Sequence, residues 1–206
     1  MAVFGLPQPA DDDADRAVRT SLSMLTSLQG FNQARGEEGL LPIKIGIGLH
    51  TDAVVSGNIG SPKRMNYTVI GDGVNLAARL ESACKQYGAQ LLISETTRSR
   101  LRGTYRMREA DRVVVKGKTE PVLIHELLDF HSEATFPHAV EVLGHYRDGL
   151  EHYRAGRFNG AIASFAKALA LHPEDRLSSL YTGRCEHYLA EPPGDNWDGI
   201  WVLKEK

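Results

Sequence analysis

The segment from Ile43 to Glu81 constrains this chain most, because its side-chain pattern changes period along its length. In Ile43-Lys44-Ile45-Gly46-Ile47-Gly48-Leu49 apolar residues alternate with others, the period of a strand with one face in a core. A glycine-rich return follows (Ser56-Gly57-Asn58-Ile59-Gly60), then a strand from Met65 to Ile70 and a tight Gly71-Asp72-Gly73 turn. There the period lengthens to that of a helix. Leu76, Leu80 and Ala83 form its apolar stripe, and Asn75, Arg79, Ser82 and Gln86 an opposing polar one. Asp72 is placed to cap this helix. Asn75 and Arg79 lie one turn apart, so an amide and a guanidinium project from the same face.

Around this unit the chain alternates strand and helix signals. Met1 to Phe4 reads as a short buried strand ended by Gly5 and Pro7. Asp11, Asp12 and Asp13 suit a helix N-terminus, and Ala14, Ala17, Val18, Leu22, Leu25 and Leu28 follow at helical spacing. Gly36 to Pro42 reads as a loop, Gln90 to Ile93 as a strand and Glu95 to Leu101 as a short helix. Val113 to Leu128 reads as a hairpin turning around Gly117, Lys118 and Thr119. Mixed hairpins and crossovers of this kind predict an α+β fold.

Residues 131–139 read as a linker by composition. Beyond them Gly149, Tyr153, Gly156, Phe158, Ala161, Phe165, Ala168 and Pro173 match much of the ~34-residue tetratricopeptide pattern, which predicts a TPR-like helical segment over residues 140–190. Leu177 to Leu189 would open a further, incomplete repeat. One repeat cannot bury its own apolar face, so it is expected to pack on the preceding domain or on another subunit. Trp197 and Trp201, in the tail 191–206, read as a hydrophobic clip.

Composition excludes several classes. A formal charge of -2 gives no general attraction to nucleic acid or anionic lipid. Arg98, Arg100, Arg102, Arg106, Arg108 and Arg112 cluster, but without an aromatic stacking platform they read as a solvated surface rather than a nucleic-acid site. No run approaches the ~20 apolar residues of a membrane span. Cys84 and Cys185 stand far apart with no partners at metal or redox spacing, which points to a reducing cytoplasm, whether for a wholly cytoplasmic protein or for the cytoplasmic part of a membrane-anchored one. His138, His145 and His152 recur every seven residues, ~10 Å apart on a helix, too far to share one metal.

Taken whole, Asn66-Tyr67-Thr68-Val69-Ile70-Gly71-Asp72-Gly73-Val74-Asn75-Leu76-Ala77-Ala78-Arg79-Leu80-Glu81 resembles the class III nucleotidyl cyclases, the adenylyl and guanylyl cyclases. The resemblance implies the C-terminal half to two-thirds of a ferredoxin-like α+β catalytic domain over residues 1–130, with its first strands missing, working as a homodimer or paired with an intact cyclase domain. Its activity would be conversion of ATP to 3′,5′-cyclic AMP and pyrophosphate. By the same resemblance Arg79 stabilises the phosphoryl oxygens of the transition state, Asn75 orients the ribose, Thr68 reads the adenine amino group and Lys116 holds the terminal phosphates. Read without the family, Arg79 is a surface arginine, Lys116 a solvated charge at a hairpin end and Thr68 a β-branched residue favoured in any strand. A threonine hydroxyl accepts from an adenine amine but also donates to a guanine carbonyl, so Thr68 leans toward ATP without excluding GTP.

The resemblance also implies two Mg²⁺ or Mn²⁺ ions, whose carboxylates lie on family segments that precede the one beginning at Met1. Met1-Ala2-Val3-Phe4-Gly5 is similar to the end of a strand that follows a Gly-Asp pair, so Met1 is expected to be internal to a longer enzyme. Neither Asp72 nor the Asp11 to Asp13 run is expected to replace the missing ligands, and the isolated chain is expected to be inactive. The alternative is a non-catalytic scaffold that uses the cyclase remnant to dimerise and the TPR-like segment to bind protein.

Overall fold

The computed structural model describes residues 1–61, 64–114, 121–194 and 197–201. Its elements run α1 (Asp13–Glu37), β1 (Ile47–Leu49), β2 (Val55–Ser61), β3 (Arg64–Ile70), α2 (Asp72–Tyr87), β4 (Leu91–Ser94), α3 (Glu95–Arg98), β5 (Met107–Val114), β6 (Pro121–Leu127), α4 (Ala139–Arg154), α5 (Phe158–Leu171) and α6 (Arg176–Ala190). Four strands form a mixed sheet in the order β1-β4-β6-β5, with β1 parallel to β4 and the other pairs antiparallel. The hairpin β2–β3 forms a separate two-stranded sheet.

Helices cover both faces of the larger sheet. On one side Val18 and Leu25 of α1 pack with Leu91, Ile93 and Leu127, and with Ile45, Ile47 and Leu49. On the other Leu76, Leu80, Cys84 and Tyr87 of α2 share a core with Leu92, Ala110 and Ile124 and with Tyr146, Phe165, Leu177 and Tyr181 of the C-terminal helices. All four residues of β4 are buried, as a strand between two helical layers requires. The alternation around β1 therefore has a second meaning. Its odd positions feed the α1 side, while Gly46 and Gly48 leave room for α2 to lie against the backbone.

Several expectations change. Met1 to Phe4 forms no strand: Met1 is 87% exposed and Val3 40%, and a strand without a described neighbour leaves its backbone groups to water. The apolar stripe of α2 runs through Gly73, Leu76, Leu80, Cys84 and Tyr87, so Cys84 rather than Ala83 continues it. Gly71 occupies the N-cap position, and Asp72 is instead the first helical residue, where its charge favours the helix N-terminus. β5 begins at Met107 rather than Val113, so Arg108 and Arg112 of the cluster expected to be surface lie on it, and Arg108 is buried. Phe136, within 131–139, is buried with Leu128, Val142 and Ala168. Lys116 and the turn residues Gly117, Lys118 and Thr119 lie outside the described residues.

Candidate active site

The site grows from one continuous unit, β3–Gly71–α2. Thr68 pairs with Gly57 across the hairpin and is half-buried, while the next residue, Val69, is buried on the opposite face. Three residues after Ile70 closes the strand, α2 is under way. Asn75 and Arg79 are both exposed, ~6 Å apart along the axis, with Ser82 and Gln86 continuing the same polar stripe. This face is open because the other face of α2 is committed to the sheet.

The start of α2 is held by residues that the sequence reading passed over. A Cβ on Gly73 would stand 2.5 Å from the Asp52 Cβ, so only glycine lets the helix approach this loop. The Asp52 carboxylate lies 3.6 Å from His50 Nε2, and His50 Nδ1 lies 2.7 Å from Ser94 Oγ at the end of β4. Ser94 Oγ also accepts from the Thr97 amide, capping α3. His50 follows β1 and Ser94 ends β4, and no spacing signal marks either.

The carboxylates of the acidic run that leads into α1 are paired with arginines. Those of Asp11, Asp12 and Asp13 face Arg102, Arg19 and Arg16 at 2.8, 3.1 and 2.9 Å. Among the described residues no group of three or more His, Cys, Asp or Glu side chains converges on a point where an ion could sit. The arginine cluster is likewise spoken for in part: Arg98 pairs with Glu95, Arg102 with Asp11 and Arg112 with Glu109, while Arg108 is buried. His152 Nδ1 accepts from Arg157 Nε, a contact within the helical segment. Both cysteines are buried, and burial pushes the Cys84 thiol up to about 11 and Cys185 up to about 12, so neither is a nucleophile at neutral pH. No described helix is long and apolar enough to cross a membrane.

Thr68 on the separate β2–β3 hairpin and Asn75 and Arg79 on α2 thus lie beside a helix-covered mixed sheet. The chain belongs to the adenylate and guanylate cyclase catalytic domain family, whose sequence profile matches residues 1–128. It is 32% identical over 192 residues to the terminal-differentiation specific adenylate cyclase of Dictyostelium discoideum, covering 90% of this chain and 9% of that protein. Identity to the adenylate cyclase of Anabaena cylindrica is 40% over 134 residues, 62% of this chain and 26% of that protein. The chain thus spans a small part of these relatives. Among solved structures it resembles the adenylyl cyclase CyaB from P. aeruginosa (34% identity, TM-score 0.54, 61% of this chain and 65% of that one). It also resembles the guanylyl cyclase Cya2 (40% identity, TM-score 0.52, 60% and 62%).

Proposed function

We propose that this chain is part of an adenylate cyclase that converts ATP to 3′,5′-cyclic AMP and pyrophosphate. The observation that carries this reading is the exposed Asn75–Arg79 pair on a helix whose opposite face is fixed to the sheet, one turn from a strand bearing Thr68. Attack of the ribose 3′-oxygen on the α-phosphorus concentrates charge on the α-phosphoryl oxygens. A guanidinium that stays charged and makes paired hydrogen bonds suits that charge, which is the role of Arg79. Asn75, with one donor and one acceptor end, orients the ribose. Thr68 accepts from the adenine amine, and Lys116 holds the terminal phosphates as a point charge.

Mg²⁺ or Mn²⁺, when bound, supplies activation of the 3′-oxygen and neutralisation of the triphosphate. Among the described residues no three His, Cys, Asp or Glu side chains converge on an ion position, and its ligands are proposed to come from another segment or another polypeptide. A dimer is proposed on the same ground, and on the exposed apolar surface of the hairpin beside Thr68: Val55, Tyr67, Met65 and Ile70 all stand largely in water. The TPR-like segment is proposed to be a dedicated appendage of the catalytic domain, since its aromatic face is spent on the sheet.

The test is complementation. The purified chain is mixed with a cyclase domain that carries both metal aspartates but has its own transition-state arginine removed, and cyclic AMP and cyclic GMP are measured with saturating Mn²⁺ and ATP or GTP. Cyclic AMP appearing only in the mixture, and lost with Arg79→Ala, supports the proposal. No product from a mixture shown to associate would overturn it.

A further inference from the structure

The helix that displays Asn75 and Arg79 is held at its far end by residues of the C-terminal helices. Tyr87, the last residue of α2, is buried and donates its hydroxyl to Asp111 Oδ2 at 2.8 Å. The same oxygen accepts from Arg184 Nη2 of α6 at 2.6 Å, and Oδ1 takes the Tyr181 hydroxyl at 3.2 Å and the Arg112 amide at 2.8 Å. Asp111 reaches this position because the pairing of β5 with β6 slips between Glu109 and Asp111, and such a bulge re-aims a side chain. Burial, with the Asp111 charge beside it, pushes the Tyr87 hydroxyl well above its usual range, so it remains a donor throughout the physiological range.

Contact between α2 and α6 is direct as well. Gly88, which ends α2 in the left-handed conformation, leaves only 2.4 Å between the place of a Cβ and the Cβ of Arg176. The start of α6 is in turn fixed to the sheet, where Arg108 of β5 donates to both Asp175 oxygens at 2.6 and 3.0 Å and to Glu126 at 2.7 Å. Buried ion pairs lose in desolvation much of what they gain in attraction, and apolar residues would hold the layers as firmly. What charged pairs add is a fixed orientation.

We infer that α4–α6 is a brace for the catalytic helix, and that Tyr87, Asp111 and Arg184 are positioning residues that set the pose of Arg79 two turns away. The inference rests on the cyclase reading of Arg79. A separate observation supports it: the match to the Dictyostelium discoideum adenylate cyclase covers 90% of this chain, so it runs beyond residue 128 into the helical segment. In that protein too, a related segment follows the catalytic domain.

Tyr87→Phe removes one hydroxyl and keeps the ring, and Asp111→Asn removes the charge that gathers the three side chains. Hydrogen exchange is first measured on the 206-residue chain. Amides in the last two turns of α2 and in the first half of α6 should exchange about tenfold faster or more in both variants, while those of β4 and β6 keep their rates. Each variant is then assayed in the complemented enzyme, where kcat should fall at least about fivefold with KM for ATP unchanged, because the guanidinium is displaced from the transition state rather than from ground-state binding. Unchanged exchange in α2 of folded Tyr87→Phe would overturn the brace, as would a rise in KM without a fall in kcat. If Asp111→Asn does not fold, Tyr87→Phe decides alone. A wild-type mixture that makes no cyclic nucleotide would sink the cyclase reading and leave the exchange measurement to judge the brace.

Discussion

Gly48 lies against Ala77 so closely that a Cβ built on the glycine would stand 2.4 Å from the Ala77 carbonyl oxygen and 2.3 Å from the Glu81 amide nitrogen. Both obstacles are backbone, which cannot swing aside as a side-chain end can. Gly48→Ala should therefore push α2 off β1, lowering stability by about 1–3 kcal/mol or more and disturbing Arg79 through its own helix. Gly30, exposed within α1 and with nothing within 4 Å of its Cβ position, supplies the contrast. Gly30→Ala should stabilise by about 0.5–1 kcal/mol. Thermal denaturation of the two variants checks both signs.

Arg79→Ala in the complemented enzyme should lower kcat by about a hundredfold or more while changing ATP binding little, since its contact strengthens as charge develops. Lys116→Ala should instead raise KM, because the terminal phosphates are fully charged before reaction begins. Steady-state kinetics with ATP separates the two, and equal effects of both variants on both parameters would contradict the roles assigned.

Much of this site was legible because periodicity reports burial directly. The polar stripe of α2 is exposed as read, at Asn75, Arg79, Ser82 and Gln86, and Leu76 and Leu80 of the apolar stripe are buried, with Cys84 in the place given to Ala83. Legibility failed where a polar side chain is buried by a distant partner. The arginine cluster read as surface, yet Arg108 meets Glu126 on the paired strand β6 and Asp175 at the start of α6, and Asp111 meets Arg184 of α6. Asp15 is similar: it sits inside an ordinary helical surface pattern, but accepts from the Arg102 and Gly103 amides and the Tyr105 hydroxyl. Nothing local encodes such pairs. The glycines of β1 misled differently, since an apolar alternation says which face is greasy and not that the other face admits a helix.

The 206-residue chain by itself, in saturating Mn²⁺ and ATP, should make negligible cyclic AMP. Self-association does not help, because each copy brings the same carboxylates, and those of Asp11, Asp12 and Asp13 already face arginines. Robust production by the purified chain would show that the ion ligands lie within it, and Asp72 and Asp11 to Asp13 would be the first positions to substitute.

His131 should make stability fall on mild acidification. Burial pushes its imidazole down to about 4, with repulsion from Arg108, His172 and Arg106 adding to the effect. Above about pH 6.5 the ring is neutral in both folded and unfolded chains and contributes nothing to the pH dependence. As pH falls from there toward about 4, the unfolded chain takes up a proton that the folded chain refuses, so stability drops. His131→Gln, which can still meet Thr135, should flatten the melting temperature across that window relative to the wild type. His125, also lowered by burial, stays in both proteins and cancels in the comparison.

Arg108→Ala should be among the more damaging single changes, because it strands two buried carboxylates. Glu126 and Asp175 are 4% and 2% exposed, and the guanidinium between them also lies over the rings of Tyr146 and Phe136. Removing one partner of a buried ionic group costs about 3–5 kcal/mol. The pH dependence identifies the cause. Burial raises the Glu126 carboxyl and Arg108 pulls it back, so without the arginine the carboxyl sits higher still and the folded variant holds a proton that its unfolded chain has released. A group whose folded value is raised contributes stability below the unfolded value and loses it as pH rises. The deficit of Arg108→Ala relative to the wild type should therefore be smallest near pH 4 and grow toward neutrality. Melting temperatures of the two proteins from pH 4 to 7.5 measure this directly, and a deficit independent of pH would assign the loss to packing around Tyr146 instead of to the stranded charges.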